Sequence, residues 1–221
     1  MKKLLLILLA LTLLTGCGSL PLGKGNEKGP IEGQSGEKDK KTDMQGIEGK
    51  MEAVYLADDL FYFRKSDGSI EENDLIRLKL KDGSLKPVMG EVAAFDQVGN
   101  ILETYPAQTE VEKAAVLNGK AMGLKADINR LDAFRDYLGD RAVIVDVRTK
   151  EEFDEGHFKG AVLSPLDMIE SDHGALAKDK VVVVYCRSGN RSAQAQEILE
   201  RLGYFVIDAG GISGYKGELA K

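Results

Sequence analysis

The sequence predicts an α/β domain with a buried parallel sheet, preceded by a small antiparallel β region and a flexible tether. Three observations carry this. The fully apolar run Val181-Val182-Val183-Val184-Tyr185 leads without a break into a polar turn and then a helical pattern, which is how a strand buried on both faces enters a βα unit. Residues 51–106 instead show short alternating runs punctuated by Asp67-Gly68, Asp82-Gly83 and Gly99-Asn100, the grammar of antiparallel hairpins. Residues 18–50 are glycine-rich, charged and almost without large apolar side chains, so they bury too little surface to offset chain entropy. The 221 residues are 43% apolar and 30% charged, a globular composition. A net charge of -6 without a dense basic cluster argues against nucleic acid as a partner. Two cysteines and two histidines exclude zinc fingers, four-cysteine iron-sulfur sites and a disulfide framework.

Taken in chain order, residues 1–16 read as an export signal: Lys2-Lys3, an apolar run from Leu4 to Leu14, then Thr15-Gly16 before Cys17. The run is too short for a span of about 20 apolar residues. Leu14-Thr15-Gly16-Cys17 resembles the lipobox of bacterial lipoproteins, which implies that Cys17 is acylated, as by palmitate, and becomes the first mature residue. The expected location is the cell envelope, outside the cytoplasm and lipid-anchored to a membrane, since two or more acyl chains anchor stably. Residues 17–50 then form a tether with an r.m.s. span on the order of 30 Å.

Residues 51–119 carry thirteen acidic and seven basic residues and show no catalytic constellation. The region is expected to be a small β-meander that packs on the next domain or spaces it from the membrane, or else to bind a protein partner. Residues 109–118, with Val111, Ala114, Ala115 and Leu117, are expected to form a short connecting helix.

From residue 120 the pattern alternates helix and strand: a helix over 131–138, a strand over 142–147, a helical turn over 149–153, the strand 181–185, and a helix with Ala193, Ala195, Ile198, Leu199 and Leu202 as its apolar face. Cys186 therefore sits where a strand's carboxyl end meets a helix amino end. Ligands bind at that edge of an open sheet, and the helix's unpaired first-turn amides point at the loop. With Arg187 and Arg191 close by in sequence, these donors are expected to bring the thiol pKa from about 8.5 down to roughly 4 to 7. The competing reading is a small buried hydrophobe ending a core strand. An unpaired exported thiol with no second cysteine to bridge it favours one-thiol chemistry.

Several separated motifs resemble the rhodanese family: Asp146-Val147-Arg148, Glu151-Glu152-Phe153, Gly156-His157-Phe158-Lys159-Gly160-Ala161, Ser164-Pro165-Leu166, Cys186 to Ser192, and Gly210-Gly211 after a strand over 205–207. The departures are Lys159, where proline is usual, and Tyr215, where tryptophan is common. The resemblance implies a three-layer α/β/α fold and a terminal helix after Gly211. It also implies transfer of a sulfane sulfur from a thiosulfate-like or polysulfide donor to a thiol or cyanide acceptor through a Cys186 persulfide, with no cofactor or metal. Arg187, Ser188, Gly189, Asn190 and Arg191 would bind the substrate, their amides holding the persulfide and the arginines drawing the anion. Only four residues separate Cys186 from Arg191. Cysteine phosphatases and arsenate reductases place five there, so the narrower ring suits one sulfur better than an oxyanion. His157 is expected to anchor a turn, His173 to lie in an exposed loop, and Asp146 and Arg148 to pair with each other or with backbone. A binding module in which Cys186 is incidental is the alternative reading.

Overall fold

The pattern of apolar residues in 51–120 is explained by two buried faces. The computed structural model of the chain describes residues 51–221 except 67, 69, 70, 82, 84, 98, 174 and 175; the export signal expected over 1–16, Cys17 and the tether expected over 17–50 lie outside the described residues. Strands β1 (Met51–Ala57), β2 (Leu60–Lys65), β3 (Asp74–Leu80), β4 (Glu91–Gln97) and β5 (Ala107–Lys120) close into a barrel of order β1-β2-β3-β5-β4. The β3–β5 pair is parallel and the others antiparallel, an arrangement of the five-stranded Greek-key type. One set of alternate residues, including Met51, Ala53, Phe61, Phe63, Ile76, Leu78, Phe95 and Val111, fills the barrel. The other set, Val54, Leu56, Leu60, Tyr62, Leu75 and Val92, joins one continuous core with Phe134, Phe158, Tyr185, Phe205 and Ile207 of the α/β part. Period-2 alternation puts the two sets on opposite faces, so Leu60-Phe61-Tyr62-Phe63 is apolar throughout because both faces are covered.

Two expectations are corrected in this region. Residues 109–118 are strand rather than connecting helix: β5 runs 14 residues and pairs with β3 at one end and β4 at the other. The alanines and leucine that suit a helix locally are overridden by the hydrogen bonds and burial that barrel closure provides. The region is also a closed barrel, not an open meander, and closure leaves no free sheet edge.

The α/β part has a five-stranded parallel sheet of order β6-β11-β10-β7-β9. Its strands are β6 (Leu124–Lys125), β7 (Ala142–Asp146), β9 (Val162–Leu163), β10 (Val181–Cys186) and β11 (Phe205–Gly211). All six residues of the central β10 are buried, as a strand with helices or other elements on both faces requires. Helix α1 (Leu131–Leu138) lies in the core shared with the barrel. Helix α3 (Asn190–Arg201) covers the opposite face, with Ala195 and Leu199 fully buried against Val145, Val182 and Val184. The short α2 (Lys150–Glu155) follows β7 and leads into β8 (His157–Phe158).

The terminal helix implied after Gly211 is not formed. A 3₁₀ turn at Ile212–Gly214 is followed by β12 (Leu219–Ala220), which pairs antiparallel with β8. Tyr215, at the position where tryptophan is common, packs edge-on against Phe158 with ring centroids 5.6 Å apart and donates to Asp132 Oδ2 at 2.6 Å.

Barrel and α/β part meet through specific contacts besides apolar ones. Tyr62 stacks obliquely on Phe134 at 6.1 Å and donates to the Lys125 carbonyl. Arg130 pairs with Asp74 at 2.7 Å, and Tyr137 donates to the Tyr105 carbonyl at 2.7 Å. At Gly90 a Cβ would come within 2.9 Å of the Phe205 ring, so glycine permits the close approach. No helix among the described residues is long and apolar enough to cross a membrane.

Candidate active site

The carboxyl ends of β7, β10 and β11 converge on the loop from Cys186 to Asn190, which ends at the amino terminus of α3. Gly189 has φ +99°, a left-handed conformation that glycine adopts without steric cost. Its amide turns back to donate to Cys186 Sγ at 3.1 Å. The loop is held from outside by β11: a Cβ on Gly211 would lie 2.8 Å from Ser188 Cα and 2.9 Å from the Arg187 carbonyl oxygen. Both contacts are with backbone, which cannot swing aside. Gly211→Ala should therefore displace the loop and reduce the rate of any reaction at Cys186 by about 100-fold, the scale of a 1 Å misplacement. The rate of Cys186 modification at equal folded fraction measures this.

Cys186 has no solvent-accessible surface and lies in the cluster with Val145, Val147, Val184 and Ala195. Its sulfur is nevertheless surrounded by donors. Burial is the largest influence and pushes the thiol pKa up, but the Ser192 amide and hydroxyl and the Ser188 and Gly189 amides outweigh it, leaving the thiol below its ordinary value. An apolar floor and a polar rim thus coexist, and the rim decides the ionisation. The expectation of an acidified thiolate and the competing one of a buried side chain both describe part of this sulfur.

Of the other residues expected to bind substrate, Arg187, Ser188 and Asn190 are exposed on the loop. Arg191 differs from the expectation of a cation presented to the donor. Its guanidinium makes two bonds to Glu152, Nη1 to Oε2 at 2.6 Å and Nη2 to Oε1 at 2.8 Å. Glu152 is the third residue of α2, where Thr149 and Glu152 form a reciprocal capping box. Its carboxyl is pulled down to about 2, first by Arg191, then against the opposing cost of burial by the Thr149 amide and the charges of Arg191 and Arg148. A carboxyl depressed from its unfolded value stabilises the fold above that value, and the contribution is lost as pH falls through the folded one. The stability difference between wild type and Glu152→Gln should therefore be full at pH 7 and vanish between about pH 4.5 and 2, as urea unfolding at several pH values would read.

Asp146 and Arg148 are buried beneath the loop and pair with each other. Arg148 Nε lies 2.9 Å and 3.0 Å from the two carboxylate oxygens, Nη2 lies 2.7 Å from Oδ2, and Nη2 also donates to the Gly156 carbonyl at 2.7 Å. His157 anchors its turn through Nδ1 to the Phe153 carbonyl at 3.0 Å and stacks on the Phe153 ring. His173 is half-buried with its ring edge on Tyr204, so it is not the exposed loop residue expected. Among the described residues no cluster of His, Cys, Asp or Glu could hold a metal.

Two residues at the loop, Ser192 and Glu152, stand in the quoted motifs but were given no role by sequence reasoning. Ser192 is fully buried, its Oγ 3.0 Å from the Gly189 carbonyl and 3.4 Å from the Gly210 carbonyl, so its one proton is shared between these acceptors and Cys186; nothing in the local pattern marks a serine on a helix as buried. Glu152 had a readable signal, Thr149 followed three residues later by an acid, although its bond to Arg191 spans 39 residues.

Residues 131–218 match the family model of the rhodanese-like domain. The chain is 39% identical over 71 residues to the thiosulfate sulfurtransferase PspE of Escherichia coli strain K12, covering 68% of that protein and 31% of this one. It is 40% identical over 62 residues to a sulfurtransferase of Allochromatium vinosum, covering 58% of that protein and 28% of this one. It covers only 19% of the probable adenylyltransferase/sulfurtransferase MoeZ of Mycobacterium tuberculosis, at 38% identity over 74 residues and 32% of this chain. Solved structures similar to it include a rhodanese with anions from E. coli, at 35% identity and a TM-score of 0.34 over 36% of this chain and 98% of that one. On the matched domain and the relative covered over two thirds of its length, the chain belongs to the rhodanese-like family.

Proposed function

We propose that the protein is a lipid-anchored sulfurtransferase of the cell envelope, facing away from the cytoplasm, that moves a sulfane sulfur through a persulfide on Cys186. The observation that carries this reading is the Gly189 amide aimed at Cys186 Sγ at the base of α3. With thiosulfate as donor, the Cys186 thiolate attacks the outer sulfur, the sulfur–sulfur bond of thiosulfate breaks, and sulfite leaves with the electron pair. Cys186 is left as a persulfide anion. A thiolate or cyanide then attacks the outer sulfur, regenerates the Cys186 thiolate and departs with the sulfur, in ping-pong order.

The amides of Ser188, Gly189 and Ser192 that favour the thiolate are placed to hold the persulfide charge as well. Exposed Arg187 draws the anionic donor toward the loop. The anchor is Cys17, with residues 18–50 as tether.

Intact mass measurement after incubation with thiosulfate tests the chemistry. One added sulfur atom, removed by cyanide and missing in Cys186→Ser, is expected. No uptake from thiosulfate or polysulfide would overturn the enzyme reading in favour of a docking module. For the anchor, the full chain expressed in a bacterium should fractionate with membranes and Cys17→Ser should not; identical fractionation sinks the lipid attachment.

A further inference from the structure

Three arginines surround the loop, and two of them are already matched. Arg148 is buried against Asp146, and Arg191 is held at two points by Glu152. Arg187 is exposed and makes no ion pair among the described residues. The Glu152 carboxylate is itself fixed, because Oε2 also accepts from the Thr149 amide at 3.2 Å. An approaching donor therefore meets one unmatched guanidinium, the partial positive charge of the α3 terminus, and a fixed carboxylate. Attraction to this field rises in proportion to the donor's charge while the cost of desolvating the donor rises with its square, so a site with one unmatched cation favours one negative charge over two.

We propose that Glu152 is the specificity-determining residue of this site: by neutralising Arg191 beside the Cys186 loop, it directs the pocket toward sulfane-sulfur donors carrying a single negative charge or none, such as hydropersulfides, and against dianions. The inference rests on the sulfurtransferase reading above. With a hydropersulfide RSSH, Cys186 Sγ bonds to the terminal sulfur, the RS–S bond breaks, and RS⁻ leaves with the electron pair. The proton stays on the transferred sulfur. Glu152 acts through Arg191 and touches no reacting atom, and it stays ionised throughout the working range because its carboxyl is held near 2.

The probes are thiosulfate, a dianion, and methanethiosulfonate, a monoanion that transfers the same outer sulfur and releases methanesulfinate. In the wild type the dianion should show a KM no lower than the monoanion. Glu152→Gln keeps a capping-box acceptor on α2 and frees the Arg191 charge. It should lower the thiosulfate KM about three- to tenfold and the methanethiosulfonate KM by about the square root of that factor, because the interaction energy scales with the donor's charge. The gain should disappear in E152Q/R191Q, which shows that it acts through Arg191.

A merely structural Glu152 would move both donors alike and would raise KM. An unchanged or raised thiosulfate KM in E152Q, equal effects on both donors, or a gain that persists in the double variant overturns the proposal. If E152Q does not fold, a wild-type KM clearly lower for thiosulfate than for methanethiosulfonate overturns it alone. Failure of the wild type to take sulfur from either probe instead removes the sulfurtransferase reading on which this one stands.

Discussion

Produced without the barrel, residues 120–221 should not reach a folded α/β domain. Six side chains of the barrel's outer surface, Val54, Leu56, Leu60, Tyr62, Leu75 and Val92, lie in the core shared with Phe134, Phe205 and Ile207. Burial of a large apolar side chain contributes about 1.5 to 3 kcal/mol. Without these six the fragment re-exposes the side chains they cover, Phe134, Phe205 and Ile207 among them, which at that rate costs on the order of 5 kcal/mol, a large share of the whole stability of a typical domain. The fragment would also expose the uncovered face of its sheet, a surface prone to aggregation. Near-ultraviolet circular dichroism and size-exclusion chromatography of the fragment give the answer, and a monodisperse fragment with native-like cooperative unfolding would refute a shared core. At the level of one residue, Phe205→Ala in residues 51–221 should cost about 3 to 5 kcal/mol.

The second large effect is expected beneath the Cys186 loop. Arg148→Met leaves the Asp146 carboxylate, which has no exposed surface, without its partner. Stranding one member of a buried pair costs about 3 to 5 kcal/mol, whereas removing both charges together is far milder. Urea unfolding should show the full loss in R148M and substantial recovery in D146N/R148M. Equal losses in the two variants would mean that packing around Arg148, or its bond to the Gly156 carbonyl, matters more than charge. Because Val147 and Arg148 connect β7 to α2, the single variant should also loosen the segment that carries Glu152.

The Cys186 loop was legible because its determinants are contiguous. A run of five apolar residues, a cysteine, a glycine able to take a positive φ and an amphipathic helix follow one another in the chain, and a strand running into a helix terminus through such a turn has few alternative geometries. The helix over 131–138 was equally local. Residues 109–118 were misread for the opposite reason: Ala114, Ala115 and Leu117 favour a helix only until β3 and β4 supply partners on both sides. The terminal helix failed similarly. Residues 212–221 instead pack Tyr215 on Phe158 and pair β12 with β8, contacts between distant parts of the chain.

What the sequence by itself determined is therefore the place of Cys186 and its immediate cradle: a thiol set by neighbouring residues at a strand-to-helix junction whose amides favour an anion. Tertiary structure decided which charges around that thiol are free, since Arg191 is neutralised by an acid 39 residues away, and what covers the sheet, since a barrel shares its core. Hydrogen-bonded turns depend on residues a few positions apart, so their chemistry can be read along the chain. Charge pairing and core sharing depend on which distant surfaces meet, and only the folded arrangement brings those together.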